Sequence, residues 1–333
     1  MYILGIETSC DETSVSIIED GQKIIVNEIF TQKIHKRYGG VVPEVASRNH
    51  IIKIFDVLEA ALEDSGIKLK NIDAVAVTQG PGLLGALLVG LNAAKSIAYS
   101  LKVPLIPVNH IEAHLFANIL TYPELKPPFL GVILSGGHTT MINVEDFHKY
   151  KLIGETRDDA IGESFDKVAK MLGLGYPGGP IIDRISQKGN SEAFDFPIPV
   201  PKDNFYDFSF SGLKSALRRF INENKKAKVE DVAASFQKAA IGAVTLRLKK
   251  YIKENRIDRI VIAGGVAANS YLRNQISTIA EENEIKYYIP PLNLCTDNAA
   301  MIASLGYFLL KKNGPMSKSK YLKLNAKARM DIV

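Results

Sequence analysis

Residues 3–20 read ILGIETSCDETSVSIIED, and residues 129–146 read FLGVILSGGHTTMINVED. The two stretches align without a gap, and each has the pattern of a buried strand, a polar turn and a second strand. The apolar positions of the two stretches coincide. Six of the eighteen aligned positions are identical: Leu4/Leu130, Gly5/Gly131, Ser9/Ser135, Thr13/Thr139, Glu19/Glu145 and Asp20/Asp146.

A second match follows in the same order. Residues 73–98, DAVAVTQGPGLLGALLVGLNAAKSIA, and residues 258–280, DRIVIAGGVAANSYLRNQISTIA, each combine a buried strand, a glycine turn and a helix. Such segments resemble one another by chance, but two matches in one order favour a duplicated domain. The sequence therefore predicts an α/β fold with two similar lobes and an interlobe cleft, the kind of place where ligands gather.

The chain carries signals for the limits of its elements and lobes. Pro43 is typical of a helix start and Gly66 of a helix end. Three prolines between residues 123 and 128 interrupt the chain before the second repeat. The predicted boundaries are residues 1–122 plus 296–325 for the first lobe, 123–295 for the second lobe and 326–333 for a basic C-terminal tail.

Both predicted hairpin turns are candidates for phosphate binding. Glycine lets the main chain approach a ligand closely, and the N–H groups of a turn form anion-binding nests. Two such turns facing each other would hold a polyphosphate or an adenylate. The turns contain Thr8, Ser9 and Thr13 in the first repeat and Ser135, Gly136, Gly137 and Thr139 in the second.

The stretch NHIEAHLFAN, residues 109–118, predicts a metal site. His110 and His114 are one helical turn apart, which places both imidazoles on one face of a helix. We assign the third ligand to Asp297, although two surface or capping histidines and a helix-opening acid are the alternatives. Two imidazoles and a carboxylate suit iron(II), zinc(II) or a similar divalent ion. A zinc-peptidase helix reads HExxH, but here Glu112 lies two residues after the first histidine, on the far face.

Three further polar residues are candidates for nucleotide binding in the second half. Asp166 and Asp183 could hold the sugar hydroxyls of a nucleotide, or they could be surface acids paired with the adjacent Lys167 and Arg184. Asn269 stands at the start of a predicted helix. It could face the predicted cleft, or it could be a simple N-terminal cap.

Composition excludes several classes of protein. Hydrophobic residues make up 46% of the 333 residues and charged residues 23%, which is typical of a soluble globular chain. The N-terminus lacks a basic leader, and no charge-free apolar run is long enough to span a bilayer. Cys10 and Cys295 form no disulfide framework, which favours the cytoplasm.

The net charge of +5 is concentrated near the C-terminus. Between Lys311 and Arg329 there are seven Lys or Arg residues and no acid. A solvated tail is the simpler interpretation of this stretch, and a contribution to binding a polyanion is the alternative.

Nine motifs are spread along nearly the whole chain. They are GIETSCDET, GGVVPEVASR, GPGLLGALLVG, VNHIEAH, SGGHT, GESFDKVAKMLGLGYPGGP, FSFSGLKSA, AGGVAAN and CTDNAAMIA. Through these motifs the chain resembles the bacterial tRNA N6-adenosine threonylcarbamoyltransferases of the TsaD type, formerly called glycoproteases.

The resemblance implies the actin/Hsp70/sugar-kinase (ASKHA) fold, in agreement with the two repeats. It also implies one divalent metal per chain, iron(II) in the first place and zinc(II) as the alternative, together with an adenine nucleotide ligand such as threonylcarbamoyl-AMP, ATP or AMP. The implied metal ligands are His110, His114 and Asp297. The implied substrate contacts are Ile133, Leu134, Ser135, Gly136, Gly137, Asp166, Gly179, Asp183 and Asn269.

The resemblance further implies the reaction and the partners. The family moves a threonylcarbamoyl group from threonylcarbamoyl-AMP to the exocyclic amine of adenosine 37 in tRNAs that read ANN codons. Bacterial members work with smaller subunits of the TsaB and TsaE types, and a homodimer is left open. No residue is assigned as a general base. The alternatives are a small-molecule kinase of the same fold, a metallopeptidase and a non-catalytic scaffold.

Overall fold

Two five-stranded sheets with the same strand order are the framework of the chain. In the computed structural model, which describes residues 1–147 and 149–332, the chain divides into two units. The first unit contains Met1–Leu125 and Thr296–Ile332, and the second contains Lys126–Cys295. The strands are β1 Tyr2–Glu7, β2 Glu12–Glu19, β3 Lys23–Thr31, β4 Ala74–Gly80 and β5 Leu105–Asn109 in the first unit, and β6 Phe129–Leu134, β7 Thr139–Asp146, β8 Lys149–Glu155, β9 Arg259–Ala263 and β10 Lys286–Tyr288 in the second.

The strand order confirms the predicted duplication. The first sheet has the order β3-β2-β1-β4-β5, and the second, read from its other edge, has β8-β7-β6-β9-β10. Strands β1 and β2 are antiparallel, with Gly5 opposite Ser16, and β6 and β7 are antiparallel, with Gly131 opposite Ile142. These pairs have the register of the gapless sequence alignment. The first two strands of each unit, β1 with β2 and β6 with β7, are therefore the repeated stretch itself.

The helices pack on these sheets. Helix α1 begins at Pro43 and ends before Gly66, whose φ of 66° is left-handed, as its sequence signals predict. The helices are α1 Pro43–Ser65, α2 Leu84–Leu101, α3 His110–Thr121, α4 Ile161–Met171, α5 Gly178–Ser186, α6 Ser211–Glu223, α7 Val229–Glu254, α8 Ser270–Glu282, α9 Leu292–Cys295, α10 Ala299–Asn313 and α11 Lys318–Leu322.

Helix α10 returns from the second unit to the first and packs directly on β1. A Cβ on Gly5 would lie 2.2 Å from the carbonyl oxygen of Ala299, so only glycine allows this approach. The N–H of Ala299 donates to Ser14 Oγ on β2 at 2.9 Å. These contacts fix the start of α10, and with it Asp297, against the first sheet.

Helix α2 belongs to the core of the first unit. By length and composition alone its 18 residues could cross a membrane. One such helix is weak evidence, because core helices of soluble proteins pass the same test. Its buried residues are Ala86, Leu87, Gly90, Leu91, Ala93, Ala94, Ile97 and Ala98.

The C-terminal segment packs against the first unit. Ala326 and Tyr321 are buried, and the N–H of Lys327 donates to the carbonyl of Gln79 at 2.9 Å. The sequence predicts a separate tail at residues 326–333, with solvation as the simpler interpretation. In the structure, the described part of that segment is held by the main chain at the end of β4 and in the loop that follows.

Candidate metal and nucleotide sites

Helix α3 carries both candidate histidines. Strand β5 runs straight into it, and the Asn109 side chain caps it by accepting from the N–H groups of Ile111 at 2.9 Å and Glu112 at 3.2 Å. His110 and His114 therefore lie in the first two turns, both buried, with ring centroids 4.8 Å apart. The predicted one-turn spacing thus places the two imidazoles beside each other.

Asp297 reaches the same place from the other end of the chain. One oxygen, Oδ1, lies 3.4 Å from His110 Nε2 and 3.4 Å from His114 Nε2. Our alternative of a helix-opening acid does not describe it, because Asn298 caps α10 by accepting from the N–H of Met301 at 3.1 Å. The Asp297 carboxylate is therefore left to the histidines.

The residues present fit a metal ion. One donor atom from each of His110, His114 and Asp297 lies within 4.8 Å of the others. His114 is fully buried, yet neither of its ring nitrogens has a hydrogen-bond partner among the described residues. Buried polar atoms are rarely left unsatisfied. An ion about 2.0–2.2 Å from each donor would satisfy the His114 nitrogen that faces Asp297.

Glu7 supports this group, and our sequence analysis did not identify it. It ends β1, is fully buried, and accepts from the Thr78 hydroxyl and from the N–H of Ser9. His110 Nδ1 lies 3.0 Å from Glu7 Oε2. A carboxylate can only accept, so Nδ1 carries the proton, and Nε2 is left to face Asp297. Carboxylate support of a metal-binding histidine is a common arrangement. The signal was an acid at the end of a buried strand.

The charges around the histidines reinforce this arrangement. Burial acts to lower the pKa of His110, but the carboxylates of Asp297 and Glu7 outweigh it and raise that pKa well above its usual range. Burial acts to raise the pKa of Asp297, and the two histidines hold it well below its usual value instead. Burial together with Asp11 and Asp297 raises the pKa of Glu12 well above the ordinary value. So many acids in one place favour occupation by a cation.

The hydroxyl groups of the first hairpin turn all contact other groups of the protein. The Thr8 hydroxyl donates to the carbonyl of Ala86 at 2.9 Å, and Ser9 Oγ lies 3.3 Å from His110 Nδ1. Thr13 Oγ1 lies 2.8 Å from His50 Nδ1. Of these three hydroxyls, that of Ser9 is the one that reaches the candidate metal group, through His110.

The turn after β6 is different. Ile133 and Leu134 are buried at the end of the strand, while Gly136 and Gly137 are exposed and a Cβ on either would meet nothing within 4 Å. The turn closes through the Ser135 N–H, which donates to the His138 carbonyl at 2.8 Å. The result is a bare stretch of main chain that a ligand can approach.

Two glycines pack tightly around this turn, and our sequence analysis did not single them out as site residues. A Cβ on Gly162, at the start of α4, would lie 2.6 Å from the Ser135 carbonyl oxygen. A Cβ on Gly264 would lie 2.4 Å from the Leu134 carbonyl oxygen, and its φ of 90° is one that glycine adopts readily. The turn therefore has fixed surroundings.

The remaining candidate residues connect neighbouring helices of the second unit. Asp166 on α4 accepts from the N–H of Gly178, which precedes Gly179, at 2.6 Å. Asp183 on α5 accepts from the Ser270 hydroxyl at 2.8 Å and from its N–H at 3.1 Å.

Asn269 caps α8 and also makes a side-chain contact. Its oxygen accepts from the Leu272 N–H at 2.9 Å, as its capping alternative predicts. Its Nδ2 donates to Gln237 Oε1 at 2.8 Å.

Lys167, the neighbour of Asp166, forms ion pairs with Asp159 and Glu163. All nine candidate nucleotide residues thus lie in the second unit, and the three candidate metal ligands lie in the first.

Comparison with known proteins identifies the family. The family model described as TsaD, tRNA N6-adenosine threonylcarbamoyltransferase, matches residues 23–304. The chain belongs to the TsaD family. The tRNA N6-adenosine threonylcarbamoyltransferase of Caldicellulosiruptor saccharolyticus is 51% identical over 96% of this chain and 96% of its own length. The protein of the same name from Clostridioides difficile is 48% identical over 99% of this chain and 98% of its own length.

Solved structures resemble the chain at the level of the fold. HypF of T. kodakarensis has a TM-score of 0.62 and 14% identity over 93% of this chain and 48% of its own. Component A of the (R)-2-hydroxyglutaryl-CoA dehydratase of Acidaminococcus fermentans has a TM-score of 0.58 and 14% identity over 97% of this chain and all of its own. The predicted ASKHA fold is confirmed.

Family membership fixes the kind of activity. This TsaD-family chain is a transferase that modifies tRNA at the N6 of an adenosine. The kinase, peptidase and scaffold alternatives are not favoured. The family implies a metal-assisted nucleotide site, and the His–His–Asp group is one that could hold a metal. The Glu112 carboxylate is not part of that group.

Proposed function

We propose that this chain transfers the threonylcarbamoyl group from threonylcarbamoyl-AMP to the exocyclic amine of adenosine 37 in tRNAs that read ANN codons. The observation that carries the proposal is the buried His114 ring. Within the described part of the chain its nitrogens make no hydrogen bond, and its Nε2 faces Asp297 Oδ1 at 3.4 Å. A TsaD-family chain with such a group has the parts for metal-assisted acyl transfer.

His110, His114 and Asp297 would hold one divalent metal per chain, iron(II) in the first place and zinc(II) as the alternative. When bound, the metal supplies a Lewis acid with positions left open for the donor. Glu7 keeps the Nδ1 proton of His110 in place, so that Nε2 stays available as a ligand.

The second unit would hold the adenylate. The bare main chain of Ser135–Gly137, following Ile133 and Leu134, suits the phosphate. Gly179, at the start of α5, offers an open N-terminal turn. Asp166 and Asp183 supply acceptors for sugar hydroxyls, and Asn269 borders the same group of helices through Ser270.

The transfer itself is a substitution at an activated carbonyl. The N6 amine of the adenosine forms the new C–N bond, and AMP leaves with the electron pair of the mixed anhydride bond. Orientation of the two reactants supplies much of the rate, and the base must be splayed out of the anticodon loop to be reached. We assign no residue as the general base that takes the amine proton.

Reconstitution tests the proposal. The purified protein, with its partner subunits and threonylcarbamoyl-AMP, should convert unmodified tRNA to the threonylcarbamoyl form, measured by mass spectrometry of nucleosides. The His114→Ala protein should lose most of this activity and most of its metal. The absence of product from the complete wild-type system, with the donor and partners verified, would refute the assignment.

Nucleotide binding has its own test at the exposed turn. A Cβ on Gly137 meets no protein atom within 4 Å, so Gly137→Val should fold and should obstruct only a ligand that approaches the main chain. Calorimetry with AMP should show at least tenfold weaker binding. Gly212→Ala, inside α6, is the matched control. Equal affinity in Gly137→Val and wild type would refute the contact.

We propose that the chain works in the cytoplasm with TsaB-like and TsaE-like subunits. One surface fits a protein partner: Ile51, Ile52 and Phe55 on α1 are 64%, 65% and 59% exposed. Ile51 and Phe55 line a groove of about 480 Å³ between α1 and α2, and Ile52 is next to Ile51 in the chain. Neighbouring large apolar residues left exposed are typical of an interface.

Introducing a charge on this surface tests whether it binds the TsaB-like subunit. Phe55→Asp should abolish co-purification with the TsaB-like subunit and leave the isolated chain folded, because the side chain is already in solvent. Asp56→Lys, next to it on the same helix, is the control for charge. A homodimer on the same face is the competing outcome, and light scattering of the chain alone distinguishes the two.

A further inference from the structure

The C-terminal segment Leu324–Asp331 lies along the first unit as an extended strap. The Lys95 ammonium donates to the Leu324 carbonyl at 2.6 Å, and Gln79 Nε2 donates to the Asn325 carbonyl at 3.0 Å. The Gly82 N–H donates to the carbonyl of Ala328 at 3.3 Å. The strap is therefore held through its main chain, at several places, by the end of β4 and by α2.

Close approach of the strap depends on a glycine. A Cβ on Gly80 would lie 2.1 Å from the Lys327 carbonyl oxygen. Any side chain at this position would have to push the strap outward, because the obstructing atom is main chain. The sequence at the end of β4 is thus built to receive residues from the far end of the chain.

The end of the strap contacts Asn109, the residue that caps helix α3. Asn109 is buried, and its Oδ1 holds the first N–H groups of α3. Its Nδ2 donates to the carbonyl of Asp331 at 3.0 Å. One amide therefore joins the C-terminal segment to the helix that begins with His110.

A second route leads from the strap to the same histidine. The loop that the strap contacts continues to Leu83, whose N–H donates to the Ser9 carbonyl at 2.8 Å. Ser9 Oγ lies 3.3 Å from His110 Nδ1, beside the Glu7 carboxylate. The strap thus supports His110 from two sides.

We infer that the strap fixes the N-terminus of α3, and that Asn109 is a positioning residue for His110 in the candidate metal group. The inference rests on the proposed metal site. Without the strap, the Asn109 amide can rotate, the first turn of α3 loses its fixed cap, and the His110 ring leaves its position opposite Asp297. Support of a metal ligand by groups outside it commonly accounts for 10–100-fold of metal affinity.

Two substitutions disrupt the contact between the strap and Asn109, one on each side of it. Asn109→Asp keeps oxygens that can cap α3 but loses the donor to Asp331. Gly80→Ala displaces the strap at Lys327 and leaves Asn109 intact. The control is Gly212→Ala in α6, where a Cβ meets only the Pro199 side chain at ordinary contact distance.

Cobalt(II) is the probe, because its visible absorption reports both binding and ligand geometry. Both variants should bind cobalt(II) about tenfold more weakly than wild type, with an altered absorption band, while the control matches wild type. The double variant should bind no more weakly than Gly80→Ala alone, because displacing the strap already removes its contact with Asn109. Wild-type affinity and spectrum in both single variants would overturn the inference.

Hydrogen exchange on the metal-free proteins supplies a second readout. The peptide covering residues 109–118 should exchange faster in both variants than in wild type, while peptides from α7 should not change. Unchanged protection would overturn the role of the strap. If wild-type protein and His114→Ala bind no cobalt(II), the proposed metal site fails, and exchange still decides whether the strap orders α3.

Discussion

At the scale of single residues, a buried carboxylate needs donors. Glu7 has the Ser9 N–H, the Thr78 hydroxyl and His110 Nδ1. Burial and the nearby Asp297 act to raise the pKa of Glu7, but the charge and hydrogen bond of His110 and the hydrogen bond from Ser9 lower it overall. Glu7 is therefore ionised, and its charge determines which nitrogen of His110 carries the proton.

Glu7→Gln tests this role. The amide keeps the shape of the side chain but loses the charge and presents a donor where His110 needs an acceptor. We expect metal affinity to fall about 10–100-fold, measured by competition with a chelator. Glu112→Gln, on the same helix as the histidines, should keep wild-type affinity. Equal affinity in Glu7→Gln and wild type would show that Glu7 only fills space.

Asp297 and Asn298 are neighbours with separable roles. Asp297→Asn should leave stability nearly unchanged, because Asn298 caps α10, but it should lose most of the metal. Asn298→Ala should keep the metal, because all three donor atoms remain, but it should lower the free energy of unfolding by about 1 kcal/mol through loss of the α10 cap. Urea unfolding and elemental analysis of both proteins measure the two effects. A large loss of stability in Asp297→Asn would contradict this division.

At the scale of elements, helix α6 begins without a cap of its own. Its N-cap position is Phe210, which has no side-chain hydrogen bond. Asp158, from the loop after β8, accepts from the N–H groups of Phe210 at 2.8 Å and Ser211 at 3.3 Å, and also from the hydroxyls of Ser209 and Ser211. The carboxylate of Asp158, distant in sequence, thus caps helix α6.

This cap makes stability depend on pH. Burial acts to raise the pKa of Asp158, but the four hydrogen bonds outweigh it and lower that pKa below its usual value. The stabilisation is therefore fully present above the unfolded-state pKa near 4, and it is lost as pH falls through the lower folded-state pKa.

Asp158→Asn should remove this pH-dependent contribution. We expect the free energy of unfolding to fall by about 1 kcal/mol at pH 7, with a smaller difference from wild type at pH 3. Denaturant titrations at the two pH values measure it. Asp203→Asn is the control, because its side chain is 82% exposed and its pair with Arg157 contributes little. A pH-independent difference would refute the mechanism.

At the scale of the whole molecule, charge is unevenly distributed. The strap and the segment before it carry the seven basic residues between Lys311 and Arg329. Lys323, Lys327 and Arg329 are exposed, while the strap main chain is held by the first unit. Cations on an anchored segment form a fixed row, which suits the phosphates of the tRNA that this family modifies.

Replacing Lys323, Lys327 and Arg329 by Gln should weaken tRNA binding and reduce its salt dependence. Each lost phosphate contact should lower the slope of log K against log salt by about 0.7–0.9. The control replaces Lys202, Lys225 and Lys226, exposed in the second unit, and changes the net charge equally. Equal effects of the two triple variants would mean that only net charge matters.

The sequence by itself determined what depends on local pattern. Periodic apolar residues and turn signals gave the strands, the limits of α1 and the one-turn spacing of His110 and His114. The gapless repeat gave the duplicated sheet and its register, because strand pairing between neighbours follows from the same side-chain alternation. The motifs gave the family.

Only the tertiary structure decided which distant groups meet. Glu7 and His110 are joined because β1 and β5 end at one edge of the first sheet on either side of β4. Asn298 caps α10, which leaves the Asp297 carboxylate to the histidines. The strap reaches Asn109 because Gly80 lets it pass. None of these contacts leaves a periodic signal in the chain, since each depends on how separate elements pack and on which donor lies nearest.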